Sequence, residues 1–216
     1  KPAEPSIRFF NDMPEAVRPI QDDEIDLIVL PTLDFLDIRD KVSIEPALIS
    51  LGNDRIPDEF VLLVRKDSGI QSLDQLKGLQ LITTSQEKAL RVSLMWLDNC
   101  PMKAGLLSHE SFFCIITEAP KTANAVLPVF FGQADACLVL ERLFDTIAEL
   151  NPQLRNELVT LANSPPLLMS LTCFTPACSP RMKQRTLVFG ERMHHTPKGK
   201  QILTLFGLDR AVIFQP

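Results

Sequence analysis

Three short stretches of the sequence place hydroxyl or charged side chains after an apolar segment and at the start of a helical pattern. They are Pro31-Thr32-Leu33-Asp34, Thr83-Thr84-Ser85 and Lys121-Thr122. The free N–H groups and the dipole at a helix N-terminus attract anions, and Lys121 adds a full positive charge. Capping of the helix would by itself also explain each hydroxyl. The three stretches therefore predict either simple helix caps or a site for a small anionic or polar ligand.

Other residue patterns give weaker support for catalysis or metal binding. His109 lies in a polar connector, and the sequence has no G-x-S-x-G motif to supply the nucleophile of a triad. His194 and His195 are adjacent in a predicted helix, so their side chains diverge by about 100° and cannot chelate one metal together. Cys173 and Cys178 could form a disulfide or a metal pair, but no second Cys pair or His lies at zinc spacing. We therefore predict no catalytic residue, no metal and no cofactor.

Composition and charge narrow the class of protein. The chain has 216 residues, of which 45% are hydrophobic and 23% are charged, which is typical of a globular protein. Its net charge of -5 argues against a nucleic-acid partner, because phosphates require a basic face. No apolar run approaches the ~18 to 20 residues of a membrane span. The first residues, KPAEPSIRFF, lack a signal-peptide core, so an exported protein would have lost its signal.

Strand-like and helix-like patterns alternate along the chain, which indicates an α/β fold. We expect buried central strands at Ile25–Leu30, Leu79–Thr83 and Ala136–Leu140. Further strands are predicted at 6–10, 45–51, 59–67 and 111–119, with extended chain at 159–176. Helices are predicted at 13–24, 32–40, 85–100, 122–131 and 141–158. The last of these is expected to be interrupted at Pro152, and two more helices between 179 and 207 are expected to be separated near Thr196-Pro197. Thr32 and Thr84 or Ser85 are the expected caps, and Cys114 and Cys137 are expected to be buried.

The stretch PKTANAVLPVFFGQADACLV, residues 120–139, shows how a site could be built. The helical pattern opens at Lys121-Thr122 and ends at Gly132, and a buried strand begins at Asp135. The helix follows a predicted strand, so its N-terminus lies at the carboxyl end of that strand. Open α/β sheets bind their ligands at that edge. Pro128 is expected to kink this helix, because proline removes a ladder hydrogen bond.

Five segments in order resemble the landmarks of the phosphonate-type (PhnD-like) periplasmic substrate-binding proteins. They are EIDLIVLPTLDFL, SLDQLKGLQLI, NAVLPVFFGQADACLV, LNPQLRNELVTLANSPP and TPKGKQILTLFGLDR. The resemblance implies a type 2 periplasmic-binding fold, with two α/β lobes joined by two crossover strands and a ligand cleft between them. Lobe one would comprise residues 1–64 and 167–216, and lobe two residues 65–166. Such proteins close on their ligand like a hinge.

The resemblance also implies a ligand and partners. Thr84, Ser85, Lys121 and Thr122 would bind a small anionic or polar ligand, opposed by Thr32 and Asp34 across the cleft. Glu141 corresponds to a position where the family often has an acid that meets the ligand, although an acid at a helix start is also favoured by the dipole. The protein would lie outside the cytoplasm and deliver its solute to the permease of an ABC importer. Two alternatives are a ligand-sensing domain of a signalling protein and an enzyme on the same fold.

The sequence departs from the family pattern in two places. Family members usually have a strand and a long helix before the segment that corresponds to SIRFF. We therefore expect either a rearranged first lobe or further residues upstream of Lys1, and in the second case weak ligand binding or self-association of this chain. The family's phosphonate-binding loop carries a longer Ser-Thr-Ser-Gly-type turn, whereas this sequence has TTSQEKA, without glycine.

Overall fold

The computed structural model describes residues 6–52, 59–84, 87–100, 108–205 and 208–215. It divides the chain into two compact units, one made of residues 1–55 and 170–216 and the other of residues 56–169. The boundaries predicted for the two lobes, after residues 64 and 166, differ from this division and stay a prediction. Val64 lies inside a central strand of the second unit.

The first unit contains a four-stranded antiparallel sheet. Its strands are β1 (Leu27–Pro31), β2 (Glu45–Leu51), β8 (Ser170–Phe174) and β9 (Arg210–Ile213). They pair in the order β1-β8-β2-β9. Strand β2 was predicted with these bounds, whereas β9 was not predicted, because its four residues form no clear pattern.

Four helices belong to the first unit: α1 (Met13–Gln21), α2 (Thr32–Ile38), α8 (Pro180–Arg192) and α9 (Pro197–Leu205). Helix α1 begins where the carboxylate of Asp12 accepts a hydrogen bond from the backbone N–H of Glu15, at 3.1 Å. Pro19 lies inside α1 without ending it. A 3₁₀ turn, Met193–His195, separates α8 from α9, which confirms the predicted break near Thr196.

Three predictions for the first unit were wrong. Strand β1 is a sheet edge among the described residues, not a central strand, and Val29 on one of its faces is exposed. Residues 6–10 form no strand, because no described strand pairs with them. Thr32 does not cap α2, because Pro31 occupies the cap position and Thr32 is the first helical residue.

The second unit contains a five-stranded mixed sheet. Its strands are β3 (Phe60–Arg65), β4 (Gln80–Thr84), β5 (Ile115–Ala119), β6 (Ala136–Leu140) and β7 (Leu158–Asn163). They pair in the order β5-β4-β6-β3-β7. Strands β5, β4 and β6 are parallel to one another, while β3 runs antiparallel to both β6 and β7. The predicted central strands at 79–83 and 136–140 are confirmed.

The centre of this sheet is buried on both faces. All five residues of β6 are buried, as are the first five of β3. Alternate residues face opposite sides of a strand, so Leu62 and Leu138 join one hydrophobic cluster while Leu63 and Val139 join another. This two-sided burial explains why β3 and β6 are continuous apolar runs in the sequence.

The helices of the second unit connect these strands. They are α3 (Glu87–Asp98), α4 (His109–Phe112), α5 (Thr122–Phe130), α6 (Glu141–Leu150) and α7 (Gln153–Glu157), with a 3₁₀ turn at Leu73–Leu76. The predicted strand at 111–119 was wrong in its first part, because residues 109–112 form α4 and β5 starts only at Ile115. The interruption predicted at Pro152 is confirmed.

The stretch after α5 joins the helix to the centre of the sheet. Helix α5 runs through Pro128 and ends before Gly132, whose φ of +69° is a left-handed conformation that favours glycine. The carboxylate of Asp135 then accepts a hydrogen bond from the backbone N–H of Gln80 at 2.9 Å. This bond ties the start of β6 to the start of β4, so the GQAD segment sets the register of two parallel strands.

Candidate ligand-binding site

Three neighbouring parallel strands of the second unit end at one edge of its sheet. Thr84 at the end of β4 lies opposite Ala119 at the end of β5, and Thr83 lies opposite Leu138 of β6. Helices α3, α5 and α6 begin shortly after these three strands, at Glu87, Thr122 and Glu141. The helix N-termini therefore gather at the carboxyl edge of the strands, where open α/β sheets bind ligands.

Lys121 and Thr122 open helix α5. Lys121 is the cap residue, with an extended backbone, an exposed side chain and no capping hydrogen bond from that side chain. Its carbonyl accepts hydrogen bonds from the N–H groups of Asn124 and Ala125. Thr122 is buried. The first N–H groups of a helix have no partner within the helix, so this terminus presents donors and a cation together.

Thr84 lies beside this terminus. It is the last residue of β4 and is buried, as is Thr83 before it. The carboxyl ends of β4 and β5 are adjacent, because Thr84 pairs with Ala119 two residues before Lys121. Ser85, and with it the predicted cap of α3, lies outside the described residues.

Glu141 lies at the same edge, after β6. It is the first residue of α6 and half-buried, and its N–H donates to the carbonyl of Glu59 at 2.8 Å. Strand β4 separates β6 from β5. Neighbouring strands lie about 4.8 Å apart, so the carboxyl end of β6 is roughly 10 Å from that of β5. Glu141 therefore stands apart from Lys121 along the edge.

Thr32 and Asp34 belong to the first unit. Both lie in the first turn of α2, directly after β1, and Asp34 is buried. An acid in the first turn interacts favourably with the helix dipole. Their predicted role opposite the residues of the second unit stays a prediction.

The other edge of the second unit's sheet holds polar groups of a different kind. His109 starts α4, before β5, and its ring Nδ1 lies 2.7 Å from a carboxylate oxygen of Asp98. The other oxygen of Asp98 accepts the backbone N–H of His109 at 2.6 Å. His109 thus joins the end of α3 to the start of α4, at the edge opposite Lys121.

A depression of about 470 Å³ also lies at this opposite edge. It is lined by Arg65, Phe130, Phe131, Gln153, Asn156 and Glu157. The guanidinium of Arg65 binds both carboxylate oxygens of Asp67, at 2.7 and 2.5 Å, and donates to the carbonyl of Phe130. The hydrogen bonding between Arg65 and Asp67 raises the pKa of Arg65 and lowers the pKa of Asp67. This depression could not be predicted from the sequence, because its lining residues come from separate elements.

All five cysteines are free thiols, so Cys173 and Cys178 do not form a disulfide in this structure. Burial raises the pKa of Cys173 to about 11 and also raises that of Cys137. Cys137 is buried as predicted, but Cys114 is exposed, so the prediction for Cys114 was wrong. No group of potential metal ligands clusters within the residues that the structure describes.

The comparisons with known proteins identify the family. The model of the ABC-transporter phosphonate periplasmic substrate-binding proteins matches residues 3–216. The chain belongs to this family. The family consists of periplasmic substrate-binding proteins and not of enzymes, so its members' task is to capture a solute for import. No curated protein matches the sequence.

Solved structures with the same fold include three binding proteins. XAC2383 of Xanthomonas citri, bound to ATP, is 17% identical over 98% of this chain and 80% of its own, with a TM-score of 0.72. A binding component of a Pseudomonas aeruginosa ABC phosphonate transporter is 15% identical over 96% of this chain and 69% of its own, with a TM-score of 0.64. PhnD1 of Prochlorococcus marinus, in complex with methylphosphonate, is 14% identical over 95% and 79%, with a TM-score of 0.58. These likenesses confirm the predicted type 2 periplasmic-binding fold.

The described helices include none that is both long enough and apolar enough to cross a membrane.

Proposed function

We propose that the protein captures a small phosphonate- or phosphate-like anion outside the cytoplasm and delivers it to the permease of an ABC importer. The family supports solute capture for import. The observation that carries the ligand class is the gathering of three helix N-termini, with Lys121, at the carboxyl edge of β5, β4 and β6. Helix N-termini favour anions through their N–H groups and dipole.

The residues at this edge would contact the ligand in different ways. Among the described residues, Lys121 supplies the positive charge, and Thr122 and Thr84 supply hydroxyl donors. Charge-assisted hydrogen bonds of this kind are shorter and stronger than neutral ones.

Glu141 suggests that the ligand has a second polar group. Its carboxylate only accepts hydrogen bonds, so it suits an amino or hydroxyl group on the ligand and not the anionic group itself. The separation of roughly 10 Å between the ends of β5 and β6 keeps this acid from neutralising Lys121. A short phosphonate that carries an amine would use both ends of the site.

Isothermal titration calorimetry on the purified chain tests the proposal. The probes are methylphosphonate, aminoethylphosphonate, inorganic phosphate and methanesulfonate, with glucose as an uncharged control. We expect at least one phosphorus anion to bind more tightly than glucose, and aminoethylphosphonate to bind more tightly than methylphosphonate. Binding of glucose but of no anion would show that the ligand class is wrong. If none of the probes binds and native mass spectrometry finds a different small molecule bound to the chain, the proposed ligand class is also wrong.

A further inference from the structure

One segment near the C-terminal end of this acidic protein is strongly basic. Residues 180–200 contain six of the chain's 22 Lys and Arg residues but only one of its 27 Asp and Glu residues. They form α8, the 3₁₀ turn and the start of α9 in the first unit. The rest of the chain therefore has a larger excess of acids than the net charge of -5 suggests. A basic segment on an acidic protein indicates a dedicated surface.

Helix α8 packs against the sheet of the first unit through one face. Gly190 is buried against Leu48, and an added Cβ at Gly190 would lie 2.7 Å from a methyl group of Leu48. Leu187 packs against the cluster that contains Leu48. Lys183 pairs with Glu45 of β2. These contacts fix which side of α8 faces outward.

The outward face carries three arginines, Arg181, Arg185 and Arg192, which we call the arginine ridge. Their spacing of four and seven residues places them on one stripe of the helix. All three side chains are exposed, and the structure gives none of them an ion pair with a residue that it describes. Glu191 is the single acid of α8, and it lies about a quarter turn or more from the ridge.

Apolar side chains flank the ridge on both sides. Val188 lies on one side, and Met182 and Phe189 lie on the other, as the 100° step of the helix requires. All three are exposed, and Phe189 retains 61% of its accessible surface. Helix α9 also exposes both cations and an apolar side chain, since Lys198 and Lys200 are exposed and Leu205 retains 80% of its surface. Exposed apolar groups beside unpaired cations mark an interaction surface.

We propose that the outward face of α8 docks onto the surface of a lipid bilayer that contains anionic lipids. The guanidinium groups of the arginine ridge bind lipid phosphates, for which their planar donor geometry is suited. Phe189, Met182 and Val188 enter the boundary between headgroups and acyl chains, as the apolar residues of interfacial helices do. Helix α8 has 13 residues and lies on such a surface without spanning it.

Charge and apolar exposure together favour a bilayer over an acidic protein. A bilayer offers anionic phosphates directly above an apolar layer, which matches a ridge of cations bordered by apolar side chains. Docking here would hold the protein beside a membrane-embedded permease, but it does not depend on which ligand the second unit binds. The two proposals therefore fail or succeed separately.

Vesicle flotation of the full chain tests the docking surface. The vesicles consist of phosphatidylcholine alone or of phosphatidylcholine mixed with phosphatidylglycerol, at low and at high salt. We expect binding only to the anionic vesicles, weakened by salt because surface electrostatics are screened. Replacing the ridge in the triple variant R181Q/R185Q/R192Q should weaken binding by roughly a hundredfold, since each basic residue near the surface contributes about fivefold and the three factors multiply. F189A should weaken it by roughly three- to tenfold.

The control variant R18Q/R39Q/R155Q removes the same charge from exposed arginines outside α8. It should leave vesicle binding within about twofold of the native chain, and R181K/R185K/R192K should retain most of the binding. Circular dichroism must show that each variant folds. Equal losses in the ridge and control variants would overturn the proposal, because net charge and not the α8 surface would then explain binding. Absence of binding to anionic vesicles, or ridge-dependent binding to polyglutamate only, would also overturn it.

Discussion

The central strands of the second sheet differ from the edge strand β1 of the first sheet in how completely their faces are covered. In the second unit, β6 and β3 are buried on both faces and lie between other strands. In the first unit, β1 lies at a sheet edge, and Val29 retains 67% of its surface. A strand that is buried on both faces cannot shift without disturbing two cores, so it holds the helix starts after β4, β5 and β6 in place. The exposed face of the edge strand β1 carries no such constraint.

The largest effect should come from the centre of the second sheet. Leu138 of β6 is fully buried, so Leu138→Ala should lower the free energy of unfolding by about 2–5 kcal/mol through lost burial and a cavity. Trp96 is the only tryptophan and packs against the same cluster, so its fluorescence during urea unfolding reports on this unit. Ile115→Ala is the control, because Ile115 belongs to the same sheet but is exposed. Equal effects of the two substitutions would contradict the contrast in burial.

The next effect concerns the ligand edge of the second unit. If Lys121 binds an anionic ligand, Lys121→Ala should weaken its binding by ~1.5 to 3 kcal/mol, the usual loss for a hydrogen bond to a charged group. Lys77→Ala is the matched control, because Lys77 is also an exposed lysine of this unit but precedes β4 at the opposite edge. Calorimetry on both variants separates a local role from a change in net charge. An unchanged affinity for Lys121→Ala would remove Lys121 from the site.

The sequence predicted the second unit better than the first. Continuous apolar runs such as 136–140 identify buried central strands, because only a strand covered on both faces needs them. Ile25–Leu30 is a near-continuous apolar run, interrupted only by Asp26, yet β1 is an edge strand, because hydrophobicity does not reveal how many neighbours a strand has. The error at Ser111–Phe112 has a similar origin, since a short apolar run fits a helical turn as well as a strand.

For the candidate site too, local patterns could be predicted from the sequence but strand neighbours could not. Each strand-to-helix corner could be read from the alternation of patterns, and the order β5-β4-β6 then brings Thr84, Lys121 and Glu141 to one edge. The strand order itself could not be read from the residues alone, because it depends on long-range pairing. The arginine ridge could not be predicted from the net charge of the whole chain, because a local basic stripe disappears in that total.

A smaller effect on the free energy of unfolding is expected when either of two buried hydroxyl groups is removed. The hydroxyl of Ser164, in the second unit, accepts the backbone N–H of Phe60 at 2.8 Å and donates to the carbonyl of Pro165. Ser164→Ala leaves a buried N–H without its partner and should cost about 1–2 kcal/mol. The hydroxyl of Thr175, in the first unit, donates to the carbonyl of Ile25. Thr175→Val should cost less, about 1 kcal/mol, because an unpaired carbonyl is tolerated better than an unpaired N–H. Urea unfolding that ranks them in reverse would contradict this assignment.

The smallest effect should occur at the exposed face of β1. Val29→Thr keeps the β-branched shape that strands favour and removes an apolar group already in contact with water, so it should change the free energy of unfolding by less than about 0.5 kcal/mol. Leu30 is the neighbouring residue, and its side chain is buried on the other face, so Leu30→Ala should cost about 2–3 kcal/mol, the lower part of the usual range, because an edge strand can relax into the cavity more easily than a central one. Urea unfolding followed by circular dichroism measures both. A cost above about 1 kcal/mol for Val29→Thr would mean that the outer face of β1 is covered in solution, and the contrast between β1 and the central strands of the second sheet would then disappear.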